Sequence, residues 1–231
     1  MFSSSDNSYK QARSIKKGEL KLHVKYQELV DWVSKEFNVN ALDFTCETKE
    51  TSMGYKQQVI RIQVETIEEA RKLDTNRSHE SKIIDKFMNF LLLGHKQVST
   101  PDKLKTDIWT VSPFPEIIVG YYALEEIERS IAMTKAWPAH KALSDKYASF
   151  IWCVSCPTQG SQYLDVFLHT DKQREEFDMT GTAKAFENDL LEELKKYDDF
   201  GYFGRHSIHI RYDNKESFDK DYGGNWYYYY K

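Results

Sequence analysis

The sharpest chemical motif in the sequence is Trp152-Cys153-Val154-Ser155-Cys156-Pro157. A Cys-x-x-Cys pair does redox work when its first thiol is acidified at a helix N-terminus. Here residues 158–161 read as a turn and 162–168 as a strand, so no helix dipole is expected to lower the Cys153 thiol. As zinc ligands the two lack a second close pair of Cys or His. Along a strand they would point to opposite faces. They are expected to be small buried hydrophobes, and with Cys46 they form an odd set of reduced thiols.

Seven histidines are scattered along the chain. His79-Glu80 is not followed by a second His at the spacing of a zinc protease. On a strand near Ile208, His209 and Arg211 share one face and Ile208 and Ile210 the other. His209 and Arg211 are suited to hold a phosphate or carboxylate, and His169 ends a strand in the same half of the chain. These three are the candidate catalytic residues, and the chemistry they suggest is that of a small hydrolase or phosphoesterase. The competing reading is the wet face of a strand. The sequence contains no Gly-x-Gly-x-x-Gly, Walker loop or Gly-x-Ser-x-Gly elbow, and no acidic pair at a spacing that demands a metal. No cofactor and no metal are expected, and whether the protein is an enzyme is left open.

Two further features suggest binding. Residues 165–199 hold 11 Asp/Glu against 5 Lys/Arg, a local net charge of −6 in a chain whose total is −4. Glu192 and Glu193 lie on the exposed side of a helix there and are candidate contacts for a basic protein. The C-terminus runs Gly223-Gly224-Asn225-Trp226-Tyr227-Tyr228-Tyr229-Tyr230-Lys231. As a strand it would place aromatics on both faces. It would then close the sheet as a buried strand, present Trp226, Tyr228 and Tyr230 to a protein partner, or stack on bases or sugars. The acidic balance argues against nucleic acid, because phosphate contacts need clustered Lys and Arg. Six of the first 25 residues are basic (Lys10, Arg13, Lys16, Lys17, Lys21 and Lys25), and they are read as a frayed terminus or, with the tyrosines, as the contact of a nucleic-acid binder.

The elements that must position these residues follow from periodicity. Tyr26, Leu29, Val30, Val33 and Phe37 recur at helical spacing. Leu42, Phe44 and Cys46 alternate, as do Ile60, Ile62 and Val64, which predicts two strands in a hairpin around Gly54. Thr66 and Glu69 fit a capping box opening a short helix. Ile83, Phe87, Met88 and Leu91 stripe a longer helix with Gly94 as its stop. A strand is expected around Ile108 to Val111, then a helix carrying Leu124, Ile127 and Ile131.

The second half repeats the order. Pro138 opens a helix reaching Tyr147, and Phe150, Trp152 and Val154 line a strand. Leu164, Val166 and Leu168 line the next strand, Thr170 and Gln173 form another capping box, and Phe186, Leu190, Leu191 and Leu194 stripe a helix. Ile60 through Glu69 map onto Leu164 through Gln173 at a constant offset of 104, which suggests a duplicated αββααβ unit.

The expected fold class is α+β, with an antiparallel or mixed sheet and helices packed on one face. The expected divisions are a flexible arm over 1–18, a first α+β half over 19–136 and a second over 137–231, the halves forming two lobes or one continuous domain. Apolar residues at 40% and charged residues at 29% fit a globular chain and argue against wholesale disorder. The N-terminus has no apolar core of the kind a secretory leader needs, and no run is long enough to span a bilayer, so a cytoplasmic setting is expected. The leading functional expectation is a non-enzymatic interaction module, regulatory or immunity-type, that binds a basic protein.

Overall fold

In the computed structural model, residues 7–21, 24–50, 52, 54, 56–95, 117–158, 161–204 and 207–231 are described. The chain divides into two compact units, Met1–Ile127 and Glu128–Lys231. Each has its own three-stranded mixed sheet with helices against it.

The first unit opens with α1 (Asn7–Lys16) and α2 (Val24–Phe37). Strands β1 (Ala41–Glu50) and β2 (Lys56–Val64) form the antiparallel hairpin that the alternation predicts. Helix α3 (Ile67–Asp74) starts at Thr66. The Glu69 amide donates to Thr66 Oγ1 at 3.2 Å, and the Thr66 amide donates to the Glu69 carboxylate at 2.9 Å, so the capping box is complete. Helix α4 (Arg77–His95) follows, then β3 (Ile117–Ala123), which lies parallel to β2. The strand expected at 108–111 lies outside the described residues.

Leu29, Val33, Phe44, Ile60, Ile62, Val64, Ile83 and Phe87 make one core between this sheet and helices α2 to α4. The stretch read as a loose arm contains α1, whose Tyr9 and Ala12 are buried and which packs on β1. It covers the face opposite Phe44, where the Gln11 amide donates to Asp43 at 3.3 Å.

The second unit begins in α5 (Leu124–Lys146), whose first residues belong to the first unit. Pro138 sits inside this helix and does not open one. A proline forfeits one backbone hydrogen bond, but Pro138 is exposed, and Ala132, Met133, Ala136 and Leu143 bury a stripe on either side of it along the chain that holds the helix together.

Strands β4 (Ile151–Ser155) and β5 (Tyr163–Leu168) pair antiparallel, and β6 (His209–Asn214) lies parallel to β5. Between β5 and β6 come α6 (Asp171–Met179) and α7 (Thr182–Lys195). Thr170 caps α6 by accepting from the Gln173 amide at 3.1 Å. The Gln173 side chain meets the Thr170 hydroxyl at 3.5 Å rather than the Thr170 backbone amide, and its own amide donates to the Ser149 carbonyl at 2.9 Å, so only half of this expected box forms. Leu164, Val166, Leu168, Phe177, Phe186, Leu190 and Leu194 form the core on this side of the sheet.

The other face of the second sheet also carries helices, α8 (Lys215–Tyr222) and α9 (Trp226–Tyr229). The tail is therefore a single helical turn and not a strand. Gly223 and Gly224, with φ of 60° and 67°, turn the chain out of α8, a conformation glycine adopts without steric cost. The Asn225 side chain then caps the new turn by accepting from the Tyr227 amide at 2.9 Å. A polar cap after two left-handed glycines favours a helix start over an extended strand.

A bulge explains why Trp152 faces this tail. The pairing shifts between Ile151 and Cys153, so Ile151 and Val154 turn toward the core while Trp152 turns to the opposite face. The expected Phe150–Trp152–Val154 stripe is broken there. The first sheet carries the same shift between Ala41 and Asp43. Both units run helix–strand–strand–helix–helix–strand among the described residues, with the same strand order and sense, the last strand of the first unit being β3 at Ile117–Ala123. Shared order does not by itself establish a duplication.

Candidate functional site

The outer face of the second sheet brings polar and aromatic groups together. Along β5 it presents Tyr163, Asp165 and Phe167, and along β6 it presents His209, Arg211 and Asp213, because side chains alternate. Asp165 is buried. Arg211 Nε donates to its Oδ1 at 2.7 Å, while the guanidinium lies 4.7 Å from the Tyr229 ring centre. The bond to Asp165 is the main reason the arginine is held more firmly in its charged form. A charged pair of this kind, half covered by an aromatic face, is geometrically fixed.

The tail turn is fastened over this pair. Trp226 lies 4.3 Å from Phe218, 5.1 Å from Phe167 and 6.2 Å from Trp152, the last nearly parallel at 6°. Tyr229 donates its hydroxyl to Asp213 at 2.9 Å, and Tyr230 donates to Ser155 Oγ at 3.0 Å. Both phenols are held well above their ordinary range. The largest cause is burial, and the neighbouring carboxylates, Asp213 for Tyr229 and Asp165 for both, add to it. Tyr227 and Tyr228, on the same turn, point outward and are 67% and 58% exposed.

The structure separates the three candidate catalytic residues. His209 and Arg211 share the outer face, but His209 stacks on Tyr163 at 4.9 Å and Arg211 is committed to Asp165 and Tyr229. His169 follows Leu168, at the opposite end of β5 from the Tyr163–His209 pair, roughly 20 Å away at strand spacing. Its ring nitrogen lies 3.0 Å from the Ala148 carbonyl. One small substrate cannot touch both histidines.

The candidate contact residues are also divided. Glu192 and Glu193 belong to α7, which packs on the core face of the sheet through Phe186, Leu190 and Leu194, whereas Trp226, Tyr228 and Tyr230 belong to the tail on the other face. Lys195 lies 2.9 Å from Glu192 and Lys196 lies 2.6 Å from Glu193, which reduces the acidic field of that helix. Trp226 and Tyr230 are largely structural, and Tyr228 alone of the three is mainly outward-facing.

The cysteine pair sits beside this site. Burial pushes the Cys153 thiol up to about 11, and burial with the Asp165 charge raises Cys156. At pH 8 the Cys153 thiolate fraction is thereby cut by about 100-fold relative to an ordinary thiol of pKa 9.0. Alkylation of the native protein by iodoacetamide at pH 8 is therefore expected to leave Cys153 unmodified while the urea-unfolded chain reacts readily. Fast native labelling, located by peptide mass, would contradict this environment. Among the described residues no group of three or more His, Cys, Asp or Glu is placed to hold a metal ion.

Sequence reasoning missed Asp165 and Asp213. The available signal was strand alternation, which puts Asp165 opposite the Leu164/Val166 face at a buried position. No protein-family model matches the chain, and no curated protein or solved structure matches it significantly. Among the described residues no helix is long and apolar enough to cross a membrane.

Proposed function

We propose that the protein is a non-enzymatic interaction module that binds a basic protein partner, with the C-terminal turn as its aromatic contact. The observation that carries the reading is the division of labour within that turn. Trp226, Tyr229 and Tyr230 are anchored, while Tyr227 and Tyr228 stay more than half exposed. Tyrosines held rigidly on a packed base lose little conformational freedom on binding, which favours them as binding hot spots. The basic character of the partner rests on the carboxylates of α6 and α7, weakened by the lysines beside Glu192 and Glu193. Both surfaces flank β6, an edge strand of the second sheet, so a partner lying along that edge can reach each of them.

The test compares the wild type with a Tyr227→Ser/Tyr228→Ser double variant as bait in lysate of the native cells. The expected result is a stoichiometric basic protein that is released by salt and recovered at least about tenfold less with the variant, a loss within the range of one hot spot. The variant should keep its melting temperature. Equal recovery by both baits would remove the turn from the contact. The hydrolase reading has no comparable support, since its histidines are apart. The nucleic-acid reading draws on the basic terminus and the tyrosines, and in that terminus Lys16 is paired with Glu65.

A further inference from the structure

Where α6 meets α7, an open cleft of about 590 Å³ lies against the inner face of β6. Its floor is Phe177, Ala183 and Tyr212, and its rim carries Arg174, Glu175, Asp178 and Met179. The floor is fixed. Phe177 is buried in the core, Tyr212 meets it edge-on at 5.7 Å, and the Tyr212 hydroxyl donates to Glu187 at 2.9 Å. The volume falls in the range of ordinary ligand pockets and suits a long side chain with room for its polar end.

The charge around the cleft is one-sided. Glu175 and Asp178 line the cleft, Glu187 accepts from the Tyr212 hydroxyl at its floor, and the cation among the lining residues, Arg174, lies 3.9 Å from Asp171 on its own helix. Burial is the main cause that raises the Tyr212 phenol above its usual range, the bond to Glu187 comes next, and the charges of Glu187 and Asp178 add to them. An aromatic floor inside a negative field attracts a cation on an apolar stem, because the ring faces accept the stem and partial positive charge while the carboxylates accept the head group.

We propose that this cleft seats a lysine side chain of the protein partner. This rests on the reading of the protein as a module for a basic partner and gives that partner a second point of contact, across β6 from the tail turn. Met179, 78% exposed at the rim, supplies an adaptable apolar lip over the stem. Neither Glu192 nor Glu193 lines the cleft.

The experiment titrates isotopically labelled full-length protein with three capped amino acids: Nα-acetyl-lysine methylamide, the norleucine equivalent with the same stem and no charge, and the glutamate equivalent. Amide shifts are followed by NMR. The lysine probe is expected to give saturable shifts confined to 174–183 and to Tyr212. Norleucine should give at least about fivefold weaker binding, the worth of one partly exposed charge contact, and glutamate none. A Glu175→Gln/Asp178→Asn variant, altered only at exposed positions, should lose the response while keeping its spectrum elsewhere.

No saturable shift in that region, or equal shifts from norleucine, would overturn the proposal. So would 1,5-diaminopentane binding more than tenfold tighter than the capped lysine, since the cleft would then be a site for free amines. The tail variant Tyr227→Ser/Tyr228→Ser should bind the lysine probe normally. If it loses the partner yet binds the probe, the cleft stands. If Glu175→Gln/Asp178→Asn loses the probe yet recovers the partner in full, the cleft is not the partner's seat while the tail contact survives.

Discussion

Trp226→Ala is expected to lower the stability of the second unit by about 2–4 kcal/mol, seen as a reduced denaturant midpoint with an unchanged slope. The indole is 36% exposed, so it does not carry the full penalty of a deeply buried tryptophan. Against that, it closes a ring of aromatics. Phe167 and Phe218, both essentially buried, contact each other at 5.5 Å and both contact Trp226, while Trp152 stacks behind. Removing the indole leaves Phe167 and Phe218 facing a void or water and loses several ring–ring contacts beyond simple area burial.

The loss should extend to the rest of the turn. Tyr229 and Tyr230 contribute one hydroxyl bond each, to Asp213 and Ser155, and Tyr229 also packs on Phe167 and Tyr222 at 5.0 Å, but a four-residue helix that loses its central indole is held less firmly by what remains. Once the turn detaches, Arg211 loses its aromatic cover and Asp165 gains access to water. Tyr228→Ser should by contrast change stability by no more than about 0.5 kcal/mol, as exposed substitutions usually do. An equal effect of the two substitutions would refute the distinction between anchored and presented residues on which the proposed contact depends.

Much of this arrangement was legible from local pattern. The alternation of Ile60, Ile62, Val64 and of Leu164, Val166, Leu168 located both central strands, because one face of each meets a helix layer and side chains repeat every two residues. Thr66 and Thr170 located the helix starts, since a cap is a purely local bond. His209 and Arg211 were correctly given a common face for the same reason.

What pattern did not reach depends on distant neighbours. Asp165, the partner that fixes Arg211, is 46 residues away in sequence on a parallel strand, and no spacing rule links them. Strand β3 reads Ile-Ile-Val-Gly-Tyr-Tyr-Ala, which has no alternation to detect. A buried strand is the leading expectation for the tail because so much aromatic area resists solvation. The backbone is decided instead by two left-handed glycines and the Asn225 cap. The bulges at Ala41/Asp43 and Ile151/Cys153 shift which residues face the core by one position, and a period count passes straight over such a shift.

Mild acid is expected to move the two units in opposite directions. In the first unit Asp43 is buried, and although the Phe44 amide donates to it at 2.8 Å, burial dominates and pushes its carboxyl up from 3.8 to about 6. The folded state therefore binds a proton more readily than the unfolded chain. Its stabilising effect is complete below the unfolded value and is lost as pH rises through 6.

In the second unit His140 is buried against Trp137 at 5.3 Å, and neither ring nitrogen has a hydrogen-bond partner among the described residues. Burial pushes its pKa down from 6.5 to about 4. Here the unfolded chain binds the proton first, so stability is complete above 6.5 and is lost as pH falls toward 4. Each effect amounts to about 3 kcal/mol over its whole window, and about 1–2 kcal/mol of it is realised between pH 7 and pH 5. Amide exchange, corrected for intrinsic rates, should then show β1 and β2 better protected at pH 5 than at pH 7, and β4 and β5 less protected. Asp43→Asn should abolish the first change and His140→Leu the second. Parallel loss of protection in both sheets would mean that neither buried group sets the acid response.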